Sequence, residues 1–173
     1  MRIPKIASSK VHRYLSDPKF KKEFDRDYRV DRSYDVPYVA GYSEDAKTVF
    51  IDRHFKKMMG SVDVEPYVFV HEKAEKALID TFGLKYQEAH HIATCLERLT
   101  IDRDGIDWHR YEKFVMDQYK HIGHEKIERV PPNLDITPYK DEHDIKLLRD
   151  LRDGVTRDDK KSERGRRRPS TAS

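Results

Sequence analysis

Between Val36 and Met116 the apolar positions of this chain change period, from alternation to helical spacing. Val36-Pro37-Tyr38-Val39-Ala40-Gly41-Tyr42 and Thr48-Val49-Phe50-Ile51-Asp52 are rich in β-branched and aromatic residues, and the turn-forming Ser43-Glu44-Asp45-Ala46 separates them. They predict an antiparallel hairpin, with Pro37 favouring an edge position because proline cannot donate to a strand ladder. After a linker at Met59-Gly60-Ser61, Pro66 suits the first turn of a helix carrying Phe69, Val70, Ala74, Ala77, Leu78 and Phe82 and ending at Gly83. A second helix is predicted over about Tyr86 to Leu99, where Ala89, Ile92, Ala93 and Leu96 recur at i, i+3, i+4 and i+7. The connection between the two is so short that they are expected to be antiparallel neighbours. A third helix, Trp108 to His121, is predicted to cover the pair, followed by a break at Val130-Pro131-Pro132-Asn133-Leu134 and a last short helix over Asp141 to Leu151. Upstream, Met1 to Arg32 reads as a polar, peripheral segment with one short helix after Ser16-Asp17-Pro18.

These elements predict an α+β fold, a small antiparallel sheet or hairpin packed on a mainly helical core. The expected division is a polar N-terminal segment (1–32), one domain (33–152) and a disordered basic tail (153–173). The 173 residues suffice for one core, and a hydrophobic fraction of 36% against 39% charged concentrates that core in a few segments. The net charge of +3 is uneven: Arg157 to Arg168 holds seven Lys/Arg against Asp158, Asp159 and Glu163. Such a tail suits contact with nucleic acid or an acidic partner, or simply solvation. No aromatic residue interleaves with its arginines to stack on bases. A single cysteine, Cys95, allows no internal disulfide, and no apolar run resembles a leader or a membrane span, so a cytoplasmic protein without a membrane partner is expected.

The candidate chemistry lies on the two central helices. In His71-Glu72-Lys73-Ala74-Glu75, residues four apart project from one helix face, so His71 and Glu75 can share a metal ion. On the next helix His90 falls with Tyr86 and Glu97 on the rim of the buried face, and His91 points away from its centre. His90 is therefore the expected third ligand. Two imidazoles and one carboxylate leave a fourth position for water, as a hydrolytic zinc site requires, and Glu72 would stand beside that water as its base. Tyr86, His91 and His109 are open alternatives for an oxyanion donor, and His91 and Glu97 are either groups that orient a ligand or plain surface residues.

Taken singly, a His-Glu-x-x-Glu string is common on solvated helices, and a histidine beside a core is most often only hydrogen-bonded. Glu88-Ala89-His90-His91 contains the Glu-x-x-His of a di-iron site without the second copy such a site needs. His121 and His124 form a pair with no further ligands nearby. The strand ending Thr48-Val49-Phe50-Ile51-Asp52, the short linker and the helix bearing Val70-His71-Glu72 together resemble the core of small, gluzincin-type zincin metallopeptidases over roughly Val36 to Leu99. The resemblance implies a zincin-like α+β fold, His71 as first ligand, Glu72 as general base and the Glu75 position as second ligand. It departs at Glu75, where the family has histidine, and at His90, in the region where gluzincins have an acidic ligand. An exchange of ligand types preserves the two-histidine, one-carboxylate set. Two functions follow as expectations: a zinc-dependent hydrolase acting on a peptide or protein, or a lapsed zincin-like scaffold that binds a macromolecular partner.

Overall fold

The computed structural model describes residues 9–154. It is an α+β fold with the elements α1 (Ser9–Ser16), α2 (Pro18–Phe24), β1 (Arg29–Asp31), β2 (Ala40–Tyr42), β3 (Thr48–Ile51), β4 (Met58–Met59), β5 (Val62–Asp63), α3 (Glu65–Phe82), α4 (Tyr86–Arg103), α5 (Trp108–His124) and α6 (Thr137–Asp141). A further helix, α7, covers 145–154. The basic stretch Arg157 to Arg168, with its expected partners, lies outside the described residues.

Helices α3 and α4 pack on each other more extensively than any other pair of elements. Proline in its first turn sets the start of α3, helped by the Asp63 carboxylate, which accepts from the Glu65 N–H at 3.0 Å. Gly83 ends it in the left-handed conformation, φ 63°, with its N–H donating to the Ile79 carbonyl. Only Gly83, Leu84 and Lys85 then separate α3 from α4, which forces the antiparallel return.

The sheet is mixed rather than purely antiparallel. Its order is β1-β3-β2, with β3 central and buried along its whole length, β2 antiparallel to it and β1 parallel. The hairpin of Ala40–Tyr42 with Thr48–Ile51 lies within the two predicted runs, but the first strand starts four residues later than its composition suggests. Tyr38 (φ 59°) and Val39 (φ 78°) both take the left-handed region, so the chain turns there instead of extending from Val36. A second departure is at Met59-Gly60-Ser61, where the expected linker is the tip of a small β4–β5 hairpin with Gly60 at φ 65°.

The N-terminal segment is less peripheral than its polarity implies. Val11 and Leu15 of α1 and Phe20 of α2 are buried against Ala74, Ala77 and Leu78 of α3 and Ala89, Ile92 and Ala93 of α4, and Arg29–Asp31 supplies β1. Three apolar residues in a charged stretch suffice here because each joins the apolar cluster formed by α3 and α4. The last predicted helix is also redrawn. A turn at 142–144, with His143 at φ 55°, separates α6 from α7, and the buried Tyr139 of α6 and Leu151 of α7 pack with Val36, Phe50 and Leu134.

Helix α5 touches α4 only sparsely and does not lie flat over the central pair. The space left between them is the mouth of the site. Among the described residues no helix is long and apolar enough to cross a membrane.

Candidate metal centre

One long face of α3 should by ordinary rules be apolar, yet it buries His71, Glu72, Glu75 and Lys76 alongside Ala74, Ala77 and Leu78. Ionisable groups are rarely enclosed unless they are paired or bind a metal, so this stretch needs an explanation. Part of it is geometric. His71 Nε2 lies 3.0 Å from His90 Nδ1, His90 Nδ1 lies 3.0 Å from Glu75 Oε2, and Glu75 Oε2 lies 3.4 Å from His71 Nε2. Three donor atoms from two helices thus converge on one point. A tetrahedral zinc with bonds of ~2.0–2.1 Å holds its ligand atoms about 3.3 Å apart, so these separations match one face of that tetrahedron. Among the described residues this is the only group of three or more His, Cys, Asp or Glu side chains gathered closely enough to hold a metal.

Each inner donor is fixed from outside. His71 Nδ1 lies 3.0 Å from Glu97 Oε2, an arrangement that directs the N–H to the carboxylate and leaves the Nε2 lone pair facing the centre. The Tyr111 hydroxyl donates to the other oxygen of Glu97. On the opposite side the Tyr42 hydroxyl donates to Glu75 Oε1 at 2.9 Å, which leaves Oε2 for the centre. Glu97 and the two tyrosines thereby hold a buried ring and a buried carboxylate in one orientation. His90 is different: its side chain is 48% exposed at the cavity mouth, with the Tyr86 ring 5.3 Å away, centre to centre.

The electrostatics follow from this enclosure. Burial alone would lower the His71 pKa, but the Glu97 carboxylate and the hydrogen bonds to Glu75 and Glu97 outweigh it and hold the imidazole well above its ordinary value. Burial would likewise raise Glu75, and its bonds to His71 and His90 outweigh that and hold it low. Both shifts say that this point stabilises positive charge. Glu72 is pushed the other way, to about 8, by burial and then by the neighbouring Glu75 charge, and its carboxylate makes no hydrogen bond within the described residues.

The centre opens into a cavity of about 540 Å³ lined by Glu72, by Val39 to Tyr42 at the sheet edge, by the α5 face of Trp108, Glu112, Val115, Met116 and Tyr119, and by Tyr38, Tyr86 and Tyr139. Of the sequence candidates, His71, Glu72, Glu75, His90, Glu97 and Tyr86 line this space. His91 is exposed and takes no part in the cluster, and His109 is 83% exposed on α5. The other histidine groupings separate: Glu88 pairs with Lys10 at 2.7 Å, and His121 faces Glu125 at 3.6 Å. Tyr42 and Tyr111 were not legible as site residues, because both sit where a core aromatic is expected. The only available signal was chemical, since a buried tyrosine hydroxyl requires a partner and carboxylates are what this core contains.

The chain matches no family model, no curated protein and no solved structure.

Proposed function

We propose that this protein is a zinc-dependent hydrolase of peptide or related acyl bonds, with His71, Glu75 and His90 holding the ion and Glu72 serving as general base. The observation that carries the reading is the convergence of His71 Nε2, Glu75 Oε2 and His90 Nδ1 at 3.0–3.4 Å from one another on the floor of an open cavity. The donor chemistry fits zinc, which accepts mixed imidazole and carboxylate sets and in catalytic sites uses three protein ligands. Bound there, zinc would supply a Lewis acid and lower the pKa of water from ~15.7 to about 7.

The remaining work falls to the chain. Glu72 stands one residue after the first ligand and lines the same cavity, where its carboxylate would take a proton from water and return it to a leaving amine. Glu97 and Tyr111 keep His71 in one tautomer, and Tyr42 keeps Glu75 turned inward. Tyr86 lines the cavity beside His90, and burial together with the Glu75 and Glu72 charges keeps its phenol protonated, so it is the best-placed side-chain donor to a developing oxyanion.

The test is metal analysis coupled to one substitution. Full-length protein purified without chelator should contain one zinc per chain, and Glu72→Gln should retain it while losing cleavage of a mixed peptide substrate such as a casein digest followed by mass spectrometry. Protein that neither retains nor takes up zinc would refute the proposal and leave the non-catalytic binding scaffold. Equal cleavage by Glu72→Gln and the parent would remove Glu72 as the base.

A further inference from the structure

The walls of the cavity differ from its floor. Among the described residues no lysine or arginine lines it, in a chain where the two are abundant. Its carboxylates are several, and those of the floor are engaged: Glu75 and Glu97 face the histidines, and Asp135 is bound by Lys76. A dipositive ion would nearly balance Glu72, Glu75 and Glu97. Two carboxylates then remain at the walls, Glu112 on α5 and Glu142 just after α6. Among the described residues Glu112 meets only His109, at 3.9 Å, and Glu142 makes no ion pair.

Between these charges the walls are aromatic. Tyr38 lies 5.8 Å from Tyr119, ring centre to ring centre, and is backed at 5.1 Å by the buried Tyr139, so two rings from two segments form one surface on a fixed support. Tyr119 and Met116 are 39% and 47% exposed on the α5 face that looks into the cavity, an arrangement of apolar side chains left uncovered over a reactive floor. Tyr38 is held there by a backbone in the left-handed region, followed by Val39 in the same region. For a β-branched residue that conformation is a real outlier and costs on the order of 1–3 kcal/mol, which marks the placement of Tyr38 as a built feature. One face of Trp108 is already covered by the Arg98 guanidinium, 5.6 Å from the ring centre.

Aromatic faces attract cations, and a cleft with uncompensated carboxylates concentrates them. We propose that this cleft selects a substrate carrying a lysine- or arginine-like side chain next to the bond that is cut. The aliphatic stem lies on the Tyr38, Tyr119 and Met116 surface, and the cationic head is received by Glu112 and Glu142. An acidic side chain in the same place meets only like charge. This rests on the hydrolase reading above and adds the substrate class to it.

The experiment measures binding rather than turnover. Zinc-loaded full-length protein is titrated calorimetrically with acetohydroxamate and with the N-acetylated hydroxamates of lysine, norleucine and glutamate, which share the chelating group. The lysine compound should bind about fivefold more tightly than norleucine, its neutral counterpart, and glutamate more weakly than either. In Glu112→Gln/Glu142→Gln, two exposed substitutions, the lysine advantage should vanish while acetohydroxamate affinity is unchanged. Equal affinities for the three, or tightest binding of glutamate, would overturn the substrate class while acetohydroxamate still reports an intact metal site. Persistence of the lysine advantage in the double variant would overturn the role given to Glu112 and Glu142. No binding of acetohydroxamate to zinc-treated protein would refute the hydrolase reading, and the substrate class with it.

Discussion

Glu75 and Lys76 are neighbours on α3, both almost fully buried, and they enter polar clusters of opposite character. Lys76 Nζ donates to Asp80 at 2.9 Å and to Asp135 at 3.0 Å, and the other oxygen of Asp135 accepts from the Thr137 N–H at 2.9 Å. Every charge there meets its opposite, so the cluster is complete as it stands. Around Glu75 the chain supplies carboxylates and imidazoles whose inward-facing atoms are all acceptors or share one proton. The first cluster ties α3 to the segment before α6. The second has the geometry of a metal-binding cluster, and under the proposed function a cation would complete it, separating an ion pair that holds a fold from a site that does chemistry.

The largest test of this contrast is Lys76→Met, which keeps the stem and leaves Asp80 and Asp135 without their cation. Removing one partner of a buried pair typically costs 3–5 kcal/mol, and the partial exposure of Asp80 puts this case at about 3 kcal/mol. Urea unfolding should show that loss, with zinc stoichiometry preserved in the folded protein. Loss of zinc with unchanged stability would show the roles of the two clusters to be reversed.

His90→Ala should behave in the opposite way. Its half-exposed ring contributes little to the core, so stability without zinc should fall by less than in Lys76→Met, the loss being only its bond to Glu75, while zinc affinity falls more than about 100-fold, beyond what losing an outer partner produces. His91→Ala, one position along and outside the cluster, should leave zinc affinity as it was. Competition with a chromophoric chelator measures both. Retention of zinc by His90→Ala with loss by His91→Ala would contradict the side-chain placement on α4.

How much of this contrast was legible beforehand depends on the range of the interaction. The pairing of His71 with Glu75 is set by helix pitch, and the choice of His90 over His91 by a 100° step around α4, so local spacing carried both. The α+β class was readable for the same reason. What the spacing did not carry is long-range: the parallel pairing of Arg29–Asp31 with Thr48–Phe50, the docking of Val11 and Leu15, and the Tyr42 and Tyr111 hydroxyls on Glu75 and Glu97. Lys76 shows the limit most clearly. Its partner Asp135 is 59 residues away, and a lysine after a glutamate reads as a solvated helix face.

Glu97→Gln sharpens the comparison from within the site. The amide keeps the shape and can still accept from His71, but removes the charge that makes the imidazole a stronger donor. Zinc affinity should fall about 10-fold, the lower end for an outer partner, with the fold retained. A loss as large as that of His90→Ala would make Glu97 a ligand in its own right.

The smallest effect lies in acid, and it belongs to the closed cluster. Burial would raise the Asp135 carboxyl, but the hydrogen bonds from Thr137 and then the bond and charge of Lys76 outweigh it and hold the group below its ordinary value of 3.8. Lys76 is held above its ordinary 10.5, since its bonds to Asp80 and Asp135 outweigh the burial that opposes them. A depressed carboxyl contributes stability that is complete above its unfolded value and is lost as pH falls through the folded one. A raised ammonium contributes stability that is complete below its unfolded value and is lost as pH rises through the folded one. The pair therefore contributes in full from about pH 4 to about pH 10. Zinc-free protein should lose this share of its stability only outside that window, and on the acid side Asp135→Asn should show a shallower decline in urea-unfolding free energy measured from pH 5 to pH 2. An identical acid slope in variant and parent would mean that Asp135 has no depressed pKa to lose, and that the Lys76 cluster is held by Asp80 alone.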